Sequence, residues 1–310
     1  MALLLQTPLA PAPAKRPERY CLFTKTLYKI KAVKAILKKI LPRPLLQQAV
    51  ILRDRVRLGT TPTQIFQENP LKPAFGTEAL EAIFSDPELE RSWTAALKKI
   101  TGVYGQTSAM GGVNPGDRRA LYYLVHALKP QRLLEIGTHI GASTVFLAEA
   151  LKNASPGSVM STVDILNVNG PQGPWKGLGL KMPPRESLEK LGLSDRVSFH
   201  ASSSSDFLKN AGEKFNFIFL DGDHSSRTVY EEVSLALRVL GENGVILLHD
   251  YYPGGKPLFR DGNIIAGPFM ALDRIMHENR TIKVLPLGNL PWETKQGLHA
   301  TSLALLTRAA

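Results

Sequence analysis

Between residues 132 and 248 short apolar runs alternate with helix-length stretches, and this alternation leaves the chain few architectures to choose from. Strands are expected at 132–136, 158–163, 197–200, 215–220 and 245–248, with helices near 142–151, 185–191, 205–211 and 226–240. Strands separated by helices cannot turn back as tight hairpins. They line up parallel, and the helices cross over both faces of the sheet. A helix over 267–279 then precedes two strand-like runs, 281–287 and 298–307, whose close connection requires an antiparallel pair. The expected fold is α/β: a Rossmann-like, doubly wound sheet of seven strands, mostly parallel with a C-terminal antiparallel strand.

Ahead of the sheet the chain reads differently. Asp86-Pro87 and Asn114-Pro115 are cap-plus-first-turn signals for helices to about 99 and 128. Pro42 and Pro44 end an earlier helix, a short one follows over 45–58, and 59–76 reads as linker. Three regions result: a basic extension, 1–58; a helical linker and cap, 59–114; and the α/β domain, 115–310.

Charge separates the first region from the rest. The net charge is +11, and residues 15–58 hold 13 Lys and Arg against 2 acids, so the remainder is neutral. Phe23, Leu27, Ile30, Val33, Leu37 and Leu41 recur at steps of three or four, with lysines flanking them. Residues 22–41 thus form a basic amphipathic helix in sequence terms, suited to peripheral contact with an anionic membrane or an acidic partner. Packing of its stripe on the chain's own domain, or on a second copy in a homo-oligomer, is the alternative. Nucleic acid fits less well, because the tail lacks aromatics interleaved among its cations. The acid-free first 17 residues also suit an organellar transit peptide.

The single cysteine, Cys21, excludes an internal disulfide and points to a reducing compartment or to a chain with no need of crosslinks. No run reaches the roughly 18 apolar residues of a membrane span, and residues 1–14 lack the features of a signal peptide. A cytoplasmic chain, peripheral to a membrane if the basic stretch engages lipid, is the expectation.

In an open parallel sheet ligands bind beyond the carboxyl ends of the strands. The first tip reads Glu135-Ile136-Gly137-Thr138-His139-Ile140-Gly141-Ala142-Ser143. Its glycines allow a sharp turn into a helix whose free N–H groups favour an anionic group, but the spacing is not that of the dinucleotide fingerprint. The second strand ends in Asp164, placed to accept from ribose hydroxyls, and the third in Ser202 and its neighbouring serines. The fourth ends in Asp221-Gly222-Asp223-His224, the fifth in His249-Asp250-Tyr251. The Gly- and Pro-rich insertion 165–184, with Trp175, reads as a lid, and Tyr251, Tyr252 and Phe259 as acceptor-pocket aromatics.

With these tips in order, roughly residues 115–308 resemble the class I S-adenosylmethionine-dependent methyltransferases. The resemblance is nearest to their catechol-type and natural-product sugar O-methyltransferase branch. It rests on E-I-G-T-H-I-G-A-S, L-D-G-D-H-S and G-V-I-L-L-H-D-Y. It implies an enzyme that moves a methyl group from S-adenosylmethionine to a hydroxyl of a small molecule or glycan. It also implies that Glu135, Gly137, Thr138, Gly141 and Ser143 line the cofactor site, with Asp164 at the ribose, Ser202 near adenine and Asp221 alongside. Metal-dependent members hold magnesium by acids at the fourth and fifth tips. Asp221 and Asp250 match, and His249 or Tyr251 stands where relatives carry Asp, Glu or Asn; a histidine there suits magnesium poorly.

Methyl transfer also needs a base near the acceptor oxygen. His224 is the first candidate and His249 the second, since an imidazole takes up a proton near neutrality. A catalytically silent module anchored by the basic helix is the alternative for the whole chain. An intact set of strand-tip carboxylates speaks against it.

Overall fold

The computed structural model describes residues 42–64, 69–73, 76–105 and 112–309. The chain divides into two compact units, Met1–Val50 and Ile51–Ala310. In the first, the described residues are the opening turns of the helix Arg43–Gly59. Cys21 and the basic stretch 22–41 lie outside the described residues.

The second unit is built on one seven-stranded sheet: β1 (Arg132–Ile136), β2 (Val159–Asp164), β3 (Val197–Ala201), β4 (Phe215–Leu220), β5 (Leu240–Leu248), β6 (Ile282–Pro286) and β7 (Ala304–Arg308). Their order across the sheet is β3-β2-β1-β4-β5-β7-β6. The first five strands run parallel, while β7 pairs antiparallel with both β5 and β6. The order reverses between β1 and β4, where the chain leaves one half of the sheet for the other and a crevice opens beyond the strand ends.

Burial on both faces explains why β1 and β4 are apolar throughout most of their length. Side chains alternate between two cores. Leu133, Phe217, Phe219 and Leu247 pack with Trp93, Ile100, Leu121 and Val145 of the helices Pro87–Tyr104, Pro115–Leu128 and Thr144–Ala154. Leu134, Ile218, Ile246 and Leu248 pack with Tyr230, Val233 and Leu272 of Ser226–Val239 and Ala266–Glu278.

Several boundaries move. Pro87–Tyr104 runs past the expected stop near 99, because Ile100 and Tyr104 continue the buried stripe beyond two lysines. Asp86 and Asn114 do cap their helices, accepting from the N–H groups of Glu88 and Asp117 respectively. β5 starts at Leu240, directly after its helix, and β7 is confined to the last part of the 298–307 run. The supposed linker 59–76 is partly pinned down: Leu71 is fully buried and bridges to Gly244, and Pro73 bridges to Arg308. Beyond it Gly76 precedes a further helix, Thr77–Phe84, whose Leu80 and Phe84 join the same core as the sheet.

Candidate active site

A cavity of about 760 Å3 lies over the carboxyl ends of β1, β2, β4 and β5. Among the expected residues, Gly137, Asp164, Ser202, Asp221, His224, His249 and Asp250 all line it. Its first wall depends on Gly137, which has φ of 102° and where any Cβ would run into the carbonyl oxygen of Asp221. Only glycine lets the tips of β1 and β4 come this close. His139 follows in a left-handed conformation, and its N–H donates to Asp164 Oδ2 at 2.8 Å while Leu166 N–H donates to Oδ1 at 2.9 Å. The end of β2 is thereby fixed with its carboxylate at the cavity wall.

Glu135, Thr138, Gly141 and Ser143 are not among the cavity's lining residues. Glu135 is completely buried and accepts hydrogen bonds from Ser143 Oγ at 2.5 Å, Thr144 Oγ1 at 2.6 Å and Thr162 Oγ1 at 2.6 Å. Thr138 Oγ1 lies 2.6 Å from Thr162 Oγ1. These side chains brace the turn from beneath. Glu135 points away from the cavity because it precedes Ile136 in a strand, where successive residues face opposite sides. Burial pushes its carboxyl up to about 7, against the pull of the three hydroxyls.

The opposite end of the crevice is charged. His249, at the tip of β5, donates from Nδ1 to Asp221 Oδ1 at 3.0 Å and from Nε2 to Asp117 Oδ2 at 3.1 Å. Asp250 Oδ1 lies 3.5 Å from Nδ1. Burial disfavours the charged ring, but the carboxylates of Asp221 and Asp250, with hydrogen bonds to Asp117 and Asp221, outweigh it and hold His249 well above its ordinary value. In this arrangement each ring nitrogen faces a carboxylate, so neither carries a free lone pair.

Asp117 was not foreseen. It is fully buried near the start of Pro115–Leu128, and besides His249 it accepts from Thr301 Oγ1 at 2.5 Å and Asn114 Nδ2 at 2.5 Å. In the sequence it is the acid expected in a first helical turn, so nothing distinguished it from a capping residue. His224 occupies the cavity rim, 37% exposed, with Nε2 3.4 Å from Asp250 Oδ2. Asp221, His224 and Asp250 each bring one ligand atom to within 4.8 Å of the others. Two carboxylate oxygens and one imidazole nitrogen suit a borderline divalent cation such as zinc better than magnesium.

Thr228, Glu231 and Glu232, from the helix after β4, complete the far wall with Ser202–Ser205. Burial also raises Glu232 to about 7. The insertion 165–184 contributes Ile165 to the lining and not Trp175, whose indole N–H reaches Gly170 O. Tyr251, Tyr252 and Phe259 are buried and are not among the lining residues.

Residues 134–251 match the family model described as a methyltransferase domain. The catechol O-methyltransferase of Mycobacterium tuberculosis (strain ATCC 25618 / H37Rv) is 29% identical over 150 residues, 46% of this chain. The chain spans 58% of that relative's length. Among solved structures, the O-methyltransferase TomG from Streptomyces achromogenes is 17% identical, covering 73% of this chain and 91% of its own, with a TM-score of 0.47. The O-methyltransferase from Bacillus cereus is 20% identical, covering 72% and 91%, with a TM-score of 0.47. The family model takes in the tips of β1, β2, β4 and β5, whereas Asp117 and Thr301, which complete the charged end, lie outside it.

Proposed function

We propose that the chain is an S-adenosylmethionine-dependent O-methyltransferase acting on a hydroxyl of a small molecule or glycan. One observation carries this reading: a single cavity joins the glycine turn of β1 and the carboxylate of Asp164 to an imidazole and two acids at β4 and β5. The donor's sulfonium supplies an already activated methyl group, so the protein has only to align an acceptor oxygen and accept its proton. Gly137 and Asp164 form the wall on which a nucleoside would rest, and Ser202–Ser205 with Thr228 border its base. His224 is the proton acceptor, because its ring faces the cavity and the nearby Asp250 stabilises the imidazolium that forms.

Asp221, His224 and Asp250 would hold a divalent cation if one is used, and it would act there as a Lewis acid on the acceptor oxygen. His224 Nε2 cannot serve both uses at once. Turnover that survives a chelator, together with loss of turnover and unchanged donor affinity in His224→Ala, assigns the nitrogen to proton transfer. Turnover abolished by chelator and restored by zinc assigns it to the metal.

The direct test is calorimetry with S-adenosylmethionine, followed by mass detection of methylated products from a panel of phenolic and sugar hydroxyls. Saturable binding that Gly137→Val abolishes is expected. No binding to the wild-type chain would favour the silent-module reading.

A further inference from the structure

The helical residues 51–59 are turned the wrong way for an ordinary surface helix. Of the eight large apolar side chains that the described residues leave exposed, four belong to the helix Arg43–Gly59: Leu45, Val50, Leu52 and Val56. In the second unit Leu52 is 61% and Val56 58% exposed, one turn apart on the outer face, while the inner face carries Asp54, only 3% exposed, and Leu58. The helix is held in this orientation by its backbone. Ser226 Oγ donates to the Asp54 carbonyl at 2.7 Å, and the guanidinium of Arg274 donates to the carbonyls of Leu58 and Thr61. Asp54 is satisfied by the neighbouring Arg53, so the apolar outer face is not a by-product of a helix free to roll.

An exposed apolar ridge of this kind marks an interaction surface, and the charge around it says which. Arg55 and Arg57 are exposed on either side of Val56. They close a stretch, 15–58, that holds 13 Lys and Arg against 2 acids while the rest of the chain is neutral. Apolar side chains flanked by cations fit the boundary between acyl chains and anionic headgroups, where the side chains insert and the guanidinium groups stay among the phosphates. A second copy of the chain would bring the same cations face to face.

We infer that the outer face of this helix, centred on Leu52 and Val56 with Arg55 and Arg57, docks on an anionic lipid surface. This does not depend on the methyltransferase reading, and its test does not use turnover. The full chain is floated with vesicles of phosphatidylcholine alone and of phosphatidylcholine with phosphatidylglycerol. The expected result is retention by the anionic vesicles only, lowered at least about tenfold in Leu52→Glu/Val56→Glu and weakened by salt. Arg55→Gln/Arg57→Gln, which leaves the apolar ridge intact, should show an intermediate loss.

Circular dichroism melts confirm that each variant is folded. No retention of the wild-type chain would overturn the inference. So would undiminished retention of the Leu52/Val56 variant, which would assign lipid binding to residues 15–41 alone. A wild-type dimer in light scattering that the same variant splits, without vesicle binding, would make the ridge a contact between copies and equally overturn it.

Discussion

Two carboxylate clusters, one beneath the β1 turn and one at the tips of β4 and β5, answer the cost of burial in opposite ways. Beneath β1, Glu135 is surrounded by the hydroxyls of Ser143, Thr144 and Thr162, all neutral donors, and its carboxyl is driven up to about 7. Beside β5, Asp117 and Asp221 bond to a ring that carries charge, and the ring is held cationic by them. Different donors give a nearly neutral brace in one place and an ion cluster in the other. The brace shapes the turn, and the ion cluster sets the field where the acceptor would sit.

The sharpest way to break this contrast is to remove the cation. His249→Ala leaves three carboxylates facing one another, and a loss on the order of 3–5 kcal/mol in urea unfolding is expected. A loss below about 1 kcal/mol would show that the cluster does not depend on the ring's charge.

At the neutral end the effect is one of pH. Glu135 has a folded value of about 7, above its ordinary 4.5, so its stabilisation is complete below about pH 4.5 and is lost as pH rises through 7. Stability should fall on the order of 3 kcal/mol across that window. Glu135→Gln should flatten the fall, leaving a residual slope of the same sign from Glu232, and an unchanged profile would contradict the assignment. The smallest effect is expected from Thr301→Val, which removes one donor to Asp117 and should cost about 1–2 kcal/mol in the same unfolding assay.

Much of the fold was legible in the sequence, and for a physical reason. β1, β2 and β4 are covered on both faces, so their residues form short apolar runs that a surface strand would not show. The strand tips were legible because glycine, aspartate and serine after such a run have few other uses. What escaped was direction. The E-I-G motif showed that Glu135 was near the crevice but not that the strand's alternation turned it underneath. His249 and His224 could be assigned to neighbouring tips, yet only coordinates show that the first is enclosed by acids and the second faces the cavity. Asp117 and Thr301 escaped because they lie 132 and 52 residues from His249 in the chain and belong to elements that read as capping and edge structure.

The missing side chain at position 137 also limits how this scaffold can be remodelled. With the β1 turn seated against the Asp221 carbonyl, that wall has no slack to give. If the cavity holds the proposed donor, room for a bulkier analogue has to be carved from the small side chains of Ser202–Ser205 and Thr228 across the cavity. Engineering libraries aimed at new alkyl donors should therefore leave the glycine turn untouched and vary the serine-bearing rim.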